Sequence, residues 1–320
     1  MYKKMVSVVI PVYNEGESIF ENVNTIKKVM DTTLYEYEFV LIDDGSHDNT
    51  WSEINRLMDI IPNLRALRFS RNFGKEAALF AGLENVKSDA CIIMDSDLQH
   101  PPEIIPKMFK LWSDDGFDVV EGVKSSRGHE GFLSKVSANS FYKLLHVLSG
   151  IDIDKASDFK LLDKKVVNAL LNMNERNTFF RGMSAWTGFN RASVPFAVKE
   201  RTNGSSKWSA LKLFKLAMNA ITSFSSLPLY IVTFLGVLFL AGSFILGIQT
   251  LYMKFKGIAV SGFTTVILLL LIIGSTLMIS LGIIGTYVAK IYEEVKQRPR
   301  YIVAEKIEKH SKSELVYNQP

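Results

Sequence analysis

From Leu227 to Tyr252, and again from Gly257 to Ala289, the chain carries no charged residue. Each run exceeds the roughly 20 residues a helix needs to cross a bilayer. Neither shows the polar face that a long helix of a soluble core keeps. The pair reads as a membrane hairpin, and everything before Leu227 must then fold against water on one side of a membrane. The segment Met1–Pro11 does not read as a signal peptide, because its apolar run is short and breaks at Pro11. The preceding segment is therefore expected in the cytoplasm, with both termini on that side. Lys207, Lys212 and Lys215 before the hairpin, and Lys290, Lys296, Arg298 and Arg300 after it, outnumber Lys254 and Lys256 between the runs. That bias follows the positive-inside rule.

The segment before the hairpin alternates short apolar runs with helical patterns. Strands are predicted at Val6–Val12, Glu38–Ile42, Leu64–Phe69, Ala90–Met94 and Asp118–Val123. Helices are predicted at Glu17–Met30 and Lys75–Val86, with another after Asp48 or Asn49 as cap and one opening near Pro102. The rhythm implies an α/β fold with a mainly parallel sheet and helices on both faces. Beyond Lys124 the pattern loosens into helical stretches at Phe132–Ser149 and Lys164–Met173 and a strand at Ala192–Val198. From Trp208 to Ser225, apolar residues interleave with lysines as in a helix lying in a membrane interface. The polar tail after Glu305 is expected to stay outside the fold. The boundaries expected are a soluble domain at 1–205, juxtamembrane helices at 206–226, the hairpin at 227–289 and a tail at 290–320. Cys91 stands alone in an apolar strand, so no disulfide closes within the chain, as suits a reducing compartment.

Four polar clusters follow four of the strands: Pro11-Val12-Tyr13-Asn14-Glu15, Asp43-Asp44-Gly45-Ser46-His47-Asp48, Ser70-Arg71-Asn72-Phe73-Gly74-Lys75 and Asp95-Ser96-Asp97. In a parallel sheet those ends share one edge, where ligands of open α/β sheets bind. Asp95 and Asp97 form a carboxylate claw suited to Mg²⁺ or Mn²⁺, hard cations that share their shell with substrate phosphates. Asp44 and Glu15 can accept hydrogen bonds from a base edge or ribose hydroxyls, and Tyr13 can pack on a ring. Any one cluster alone reads as turn chemistry; four in register read as one crevice. The histidines show no metal-ligand spacing. Arg181 reads as a surface or phosphate contact and Trp186 as core.

Together these residues resemble the family 2 glycosyltransferases with a GT-A fold. Within that family the chain is similar to the polyprenyl-phosphate branch, which includes dolichol-phosphate mannose synthases and bactoprenol glucosyltransferases. The resemblance also rests on Ser157-Asp158-Phe159-Lys160, Phe180-Arg181-Gly182, the loop from Arg201 to Lys207, and Arg298-Pro299-Arg300-Tyr301. It implies that Pro11, Tyr13, Glu15, Ile42 and Asp44 hold a nucleoside, and that Asp95, Asp97 and Gln99 hold the divalent metal against a donor diphosphate, with Ser96 beside them. Arg201 and Lys207 would reach phosphates. Lys124 stands where the family often has arginine, a point charge in place of a fork.

The implied reaction is displacement of a nucleoside diphosphate by a lipid phosphate, with the metal and Arg201 or Lys207 neutralising the leaving group. A phosphate oxygen is already ionised at neutral pH, with a second pKa near ~6, so a strong base matters less. Asp158 is the candidate base or acceptor-positioning group. The expected donor is UDP-glucose, with UDP-GlcNAc or GDP-mannose as alternatives. The expected acceptor is undecaprenyl or another polyprenyl phosphate, the expected assembly a homo-oligomer, and no nucleic acid is expected as partner. A processive polysaccharide synthase would want a Gln-x-x-Arg-Trp motif, absent here. A non-catalytic membrane adaptor is the reading from another class, and metal-dependent donor binding separates it.

Overall fold

Strand β1 (Met5–Val12) is apolar but for Ser7 because both its faces are covered: Val6, Val8, Val9 and Ile10 are all fully buried. The computed structural model describes residues 4–124, 157–173, 175, 179–197, 222, 227–257 and 262–309. Two compact units divide the chain. One holds the sheet and includes the segment from Arg298 onward; the other holds the two long apolar helices.

In the first unit β1 pairs in parallel with β2 (Glu36–Asp43) and β4 (Ala90–Ile93), and β2 with β3 (Leu64–Phe69). Helix α1 (Ile19–Met30) buries Ile19, Val23, Ile26 and Met30, a single stripe at helical spacing. Helix α2 (Thr50–Ile60) follows Asn49 at the cap position, but it is Asp48 Oδ1 that accepts the Thr50 N–H, at 3.0 Å. Helix α3 (Lys75–Glu84) is buried from Ala77 to Leu83. Gly82 lets it lie directly on β1, since a Cβ there would sit 2.3 Å from Val9 Cγ1. A 3₁₀ turn at Pro102–Ile104 leads into α4 (Ile105–Ser113) and β5 (Val119–Lys124).

The other strands are β6 (Lys160–Asp163), β7 (Arg191–Phe196) and β8 (Val303–Lys309), with α5 (Lys164–Leu171) and α6 (Phe180–Trp186) between β6 and β7. The eight-stranded sheet runs β7-β5-β6-β4-β1-β2-β3-β8. It is mixed and mainly parallel, as the sequence rhythm predicts, with β6 antiparallel to β4 and β5, and β8 antiparallel to β3. The antiparallel insertion fixes the site. Lys160, first in β6, pairs with Ile93, last in β4. The residues just before β6 therefore arrive at the same sheet edge as those just after β4.

Two expectations are corrected. The tail after Glu305 joins the fold as far as Lys309, because β8 covers the otherwise open edge of β3. Its side chains are mostly exposed, so no apolar run marked it. Trp186 is not core: it ends α6 with 65% of its surface exposed. The stretches expected at 132–149 and 208–225 lie outside the described residues, Thr222 apart.

The second unit holds α7 (Leu227–Phe255) and α8 (Phe263–Lys296). Their most apolar stretches have mean hydropathies of 2.5 and 2.2 and contain no buried residue, unlike core helices, and suit a membrane anchor. The hydroxyls of Thr233, Thr250, Thr276, Ser280 and Thr286 each donate to the carbonyl four residues back. Those polar groups thus need no water.

Candidate functional site

The loops that follow β1 and β2 are laced together by short polar side chains. Asn14 adopts a left-handed backbone (φ 54°), which asparagine tolerates. Its N–H donates to Ser46 Oγ at 2.9 Å, and its Oδ1 accepts the His47 N–H at 3.0 Å. Thr50 Oγ1 accepts the Glu15 N–H at 2.9 Å. Gly45 (φ 69°) passes so close to Arg71 that a Cβ would lie 2.5 Å from the Arg71 carbonyl carbon. That approach brings the loop after β3 onto Asp44. Asp44 Oδ1 accepts the Phe73 N–H at 2.7 Å, and Oδ2 the Gly74 N–H at 2.9 Å. Burial lifts the Asp44 carboxyl above its usual range, and these two donors offset only part of the rise.

The claw after β4 is braced from two sides. Asn22 of α1 donates to the Ser96 carbonyl at 2.8 Å. The buried His100 stacks on Phe159, with ring centroids 5.2 Å apart, and its Nδ1 lies 3.5 Å from the Asp95 backbone nitrogen. Burial holds the His100 imidazole below its usual pKa. Leu98 sits at φ 54°, a strained conformation for a leucine, one residue past Asp97. The Gln99 N–H donates to Asp97 Oδ1 at 3.1 Å.

A cation joins the claw to β6. Lys75 Nζ lies 2.5 Å from Asp95 Oδ1 and 2.9 Å from Asp158 Oδ2. Arg181 approaches Asp158 as a fork, Nε 2.7 Å from Oδ1 and a terminal nitrogen 2.9 Å from Oδ2. Burial works to raise the Asp158 carboxyl, but Arg181 and Lys75 overcome it and hold the group well below the usual carboxylate range. Glu76 accepts the Phe180 N–H at 2.8 Å, which fixes the start of α6 and hence Arg181. Burial pushes the Glu76 carboxyl up to about 7.

These groups wall a cavity of about 330 Å³ at the carboxyl ends of the parallel strands. Pro11, Tyr13, Glu15, Asp44, Asp95, Ser96 and Asp97, all named from sequence, line it. Tyr13 is 42% exposed, as a ring-stacking surface requires. Asp158 reaches the cavity through Lys75. Ile42 is fully buried in β2, and Lys124 stands exposed at the end of β5; neither is on the cavity wall. Arg201 and Lys207 lie outside the described residues. Asn72, Gly74 and Lys75, placed in the crevice from sequence as part of the cluster after β3 but given no individual role, also line the cavity; Glu76 was given none, and Arg181 was read as a surface or phosphate contact. One signal was present: Lys75 and Glu76 open a helix that is apolar from Ala77 to Leu83, and such charges must emerge at the sheet edge.

Residues 7–171, which span β1 to α5 and carry the whole cavity wall, match the family model described as Glycosyl transferase family 2. The chain belongs to glycosyl transferase family 2. It is 39% identical, over 93% of its own length and 97% of the relative's, to the SfII prophage-derived bactoprenol glucosyl transferase of Shigella flexneri. It is 37% identical to the uncharacterized glycosyltransferase YkcC of Bacillus subtilis, over 93% of this chain and 92% of that one. Among solved structures, glucosyl-3-phosphoglycerate synthase from Mycobacterium tuberculosis with UDP aligns at TM-score 0.48 and 20% identity, covering 69% of this chain and 79% of that one.

In this glycosyltransferase the donor set at the claw fits a divalent cation that completes its shell from a ligand. Among the described residues no three His, Cys, Asp or Glu side chains gather into a closed metal site. Two carboxylates do converge on the cavity, and the Lys75 ammonium seated on Asp95 shows that this position favours positive charge. Asp95 and Asp97, with Gln99 beside them, would supply the protein oxygens, and phosphates would supply others.

Proposed function

We propose that this glycosyltransferase transfers a hexose, with UDP-glucose the first choice of donor, to a polyprenyl phosphate at the cytoplasmic face of a membrane. The observation that carries the reading is the convergence of Asp44, Tyr13 and the Asp95–Asp97 claw on one cavity, in a chain that also carries two membrane-length helices. The name of the Shigella relative supports glucose and bactoprenol.

The residues divide the work. Tyr13 packs on the base, and Glu15 and Asp44 fix the nucleoside by hydrogen bonds. Asp95 and Asp97 would hold a divalent cation, which when bound would supply neutralisation of the charge that develops on the leaving diphosphate. Arg201 and Lys207 add positive charge to the phosphates. Asp158 positions the acceptor side; a carboxylate held so firmly ionised by Arg181 is a weak base, and an ionised lipid phosphate needs little help. One direct displacement inverts the anomeric carbon, so an α-linked donor gives a β-linked glycosyl phosphate. The apolar helices hold the domain at the lipid surface.

The test is incubation of the purified full chain with undecaprenyl phosphate, Mn²⁺ or Mg²⁺, and a panel of labelled UDP- and GDP-sugars. A glucosyl-phospholipid formed from UDP-glucose is expected. Transfer from UDP-GlcNAc or GDP-mannose alone would correct the donor, and no lipid product from any donor would overturn the reading.

A further inference from the structure

Among the described residues, Lys75 is the cation whose ion pairs join the two halves of the site. Its ammonium bridges Asp95 of the claw and Asp158 of the β6 approach, at 2.5 and 2.9 Å. The two contacts are not equivalent. Asp158 is already matched by the two-pronged Arg181, so its charge is satisfied without Lys75. Among the described residues Asp95 has no second cation so close: its other basic neighbour, His100, lies 3.9 Å away. Lys75 therefore matters most to Asp95. Its side chain is 42% exposed and forms part of the cavity wall, so it can leave without opening the core.

The charges around this point nearly cancel. Among the described residues Asp95, Asp97 and Asp158 face Lys75 and Arg181, leaving a single net negative charge while the neighbouring Glu76, whose carboxyl burial pushes up to about 7, holds its proton. A divalent cation arriving alone must displace the ammonium from Asp95 and turn the cluster positive. A cation arriving with a nucleoside diphosphate brings its own compensating anion, whose oxygens also offer the displaced ammonium a new partner. Lysine suits such exchange, being a compact point charge on a flexible stem.

We propose that Lys75 is a built-in occupant of the claw, which keeps a divalent cation off Asp95 until a nucleoside diphosphate arrives, so that cation and donor bind as a coupled pair. The proposal rests on the donor-site reading above and adds an order to it: the nucleotide strengthens metal binding, and by linkage the metal strengthens nucleotide binding by the same factor. Lys75 acts here as a positioning residue, setting when Asp95 is free.

The test is Mn²⁺ titration of the detergent-solubilised full chain, followed by the electron paramagnetic resonance of free Mn²⁺, with and without UDP. The wild type is expected to bind Mn²⁺ at least about tenfold more tightly with UDP. Lys75→Met and Lys75→Gln are expected to bind Mn²⁺ without UDP about tenfold more tightly than wild type, with the enhancement by UDP shrinking to match. Lys75→Arg, which keeps the charge, is expected to retain most of the coupling. Thermal melts confirm that each variant is folded. Donor-free Mn²⁺ affinity in folded Lys75→Met and Lys75→Gln within twofold of wild type would overturn the proposal, and leave the donor-site reading intact if the wild type still shows coupling. Wild-type Mn²⁺ affinity that is the same with and without UDP overturns the proposal whatever the variants do. Absence of any Mn²⁺ binding even with UDP overturns the donor-site reading itself.

Discussion

Arg181 grips Asp158 through two nitrogens, 2.7 and 2.9 Å from the two carboxylate oxygens, and so converts a residue that sequence alone leaves as base or positioner into a fixed anion. Its folded pKa lies below the ordinary value of 3.8. The stability from these ion pairs is therefore fully present above about pH 4 and is lost as pH falls toward the folded value. Asp158→Asn is expected to lower stability by about 1–3 kcal/mol at pH 7, with the gap to wild type narrowing below pH 4 in thermal melts. Turnover is expected to drop about 100-fold through lost positioning. A gap that stays constant from pH 7 to pH 3 would contradict this.

Glu76 has the opposite sign. Burial raises its carboxyl from 4.5 to about 7, so its contribution to stability is fully present below pH 4.5 and is lost as pH rises through about 7. Glu76→Gln retains an acceptor for the Phe180 N–H and removes that dependence. The variant is expected to match wild type near pH 4.5 and to exceed it by about 1–3 kcal/mol at pH 8. Denaturant melts at the two pH values measure the difference, and equal stability at pH 8 would count against a strained, buried Glu76.

The segment after the second long helix reaches the donor side of the sheet. Tyr301 stacks on Phe69 at 4.8 Å and hydrogen-bonds Glu84, and Phe69 meets Phe73 edge-on at 5.8 Å. Phe73 supplies an N–H to Asp44. Tyr301→Ala is expected to cost about 1–3 kcal/mol and to weaken UDP binding severalfold. Tyr301→Phe, which keeps the ring, should weaken UDP binding little. Calorimetric titration with UDP separates the two variants.

Much of this was legible in the chain itself, for physical reasons. β1 and β4 are buried on both faces and print as largely apolar runs, β2 and β3 keep the apolar stretches Phe39–Ile42 and Leu64, Ala66, Leu67 and Phe69 between charged residues, and the polar residues that end all four must share an edge once the strands are parallel. The claw, Asp44, Tyr13 and Glu15 were readable on that basis. β8 was not, because an edge strand with exposed side chains needs no apolar signature; its pairing to β3 is a backbone matter. β6 was hidden by its brevity and by Lys160, a buried lysine whose partners Glu121 and Ser184, at 2.8 and 3.0 Å, come from distant segments. The Lys75 and Arg181 contacts escaped for the same reason, since which carboxylate a cation meets depends on a topology that crosses the sheet.

The most direct measurement is UDP binding to the full chain by calorimetry, in Mn²⁺ and then in EDTA, for wild type and Asp97→Asn. Wild type is expected to bind UDP at least about tenfold more weakly without the cation, and folded Asp97→Asn to bind weakly in both buffers. Equal UDP affinity for wild type in Mn²⁺ and EDTA, unchanged in Asp97→Asn, would contradict a metal–diphosphate site at the claw.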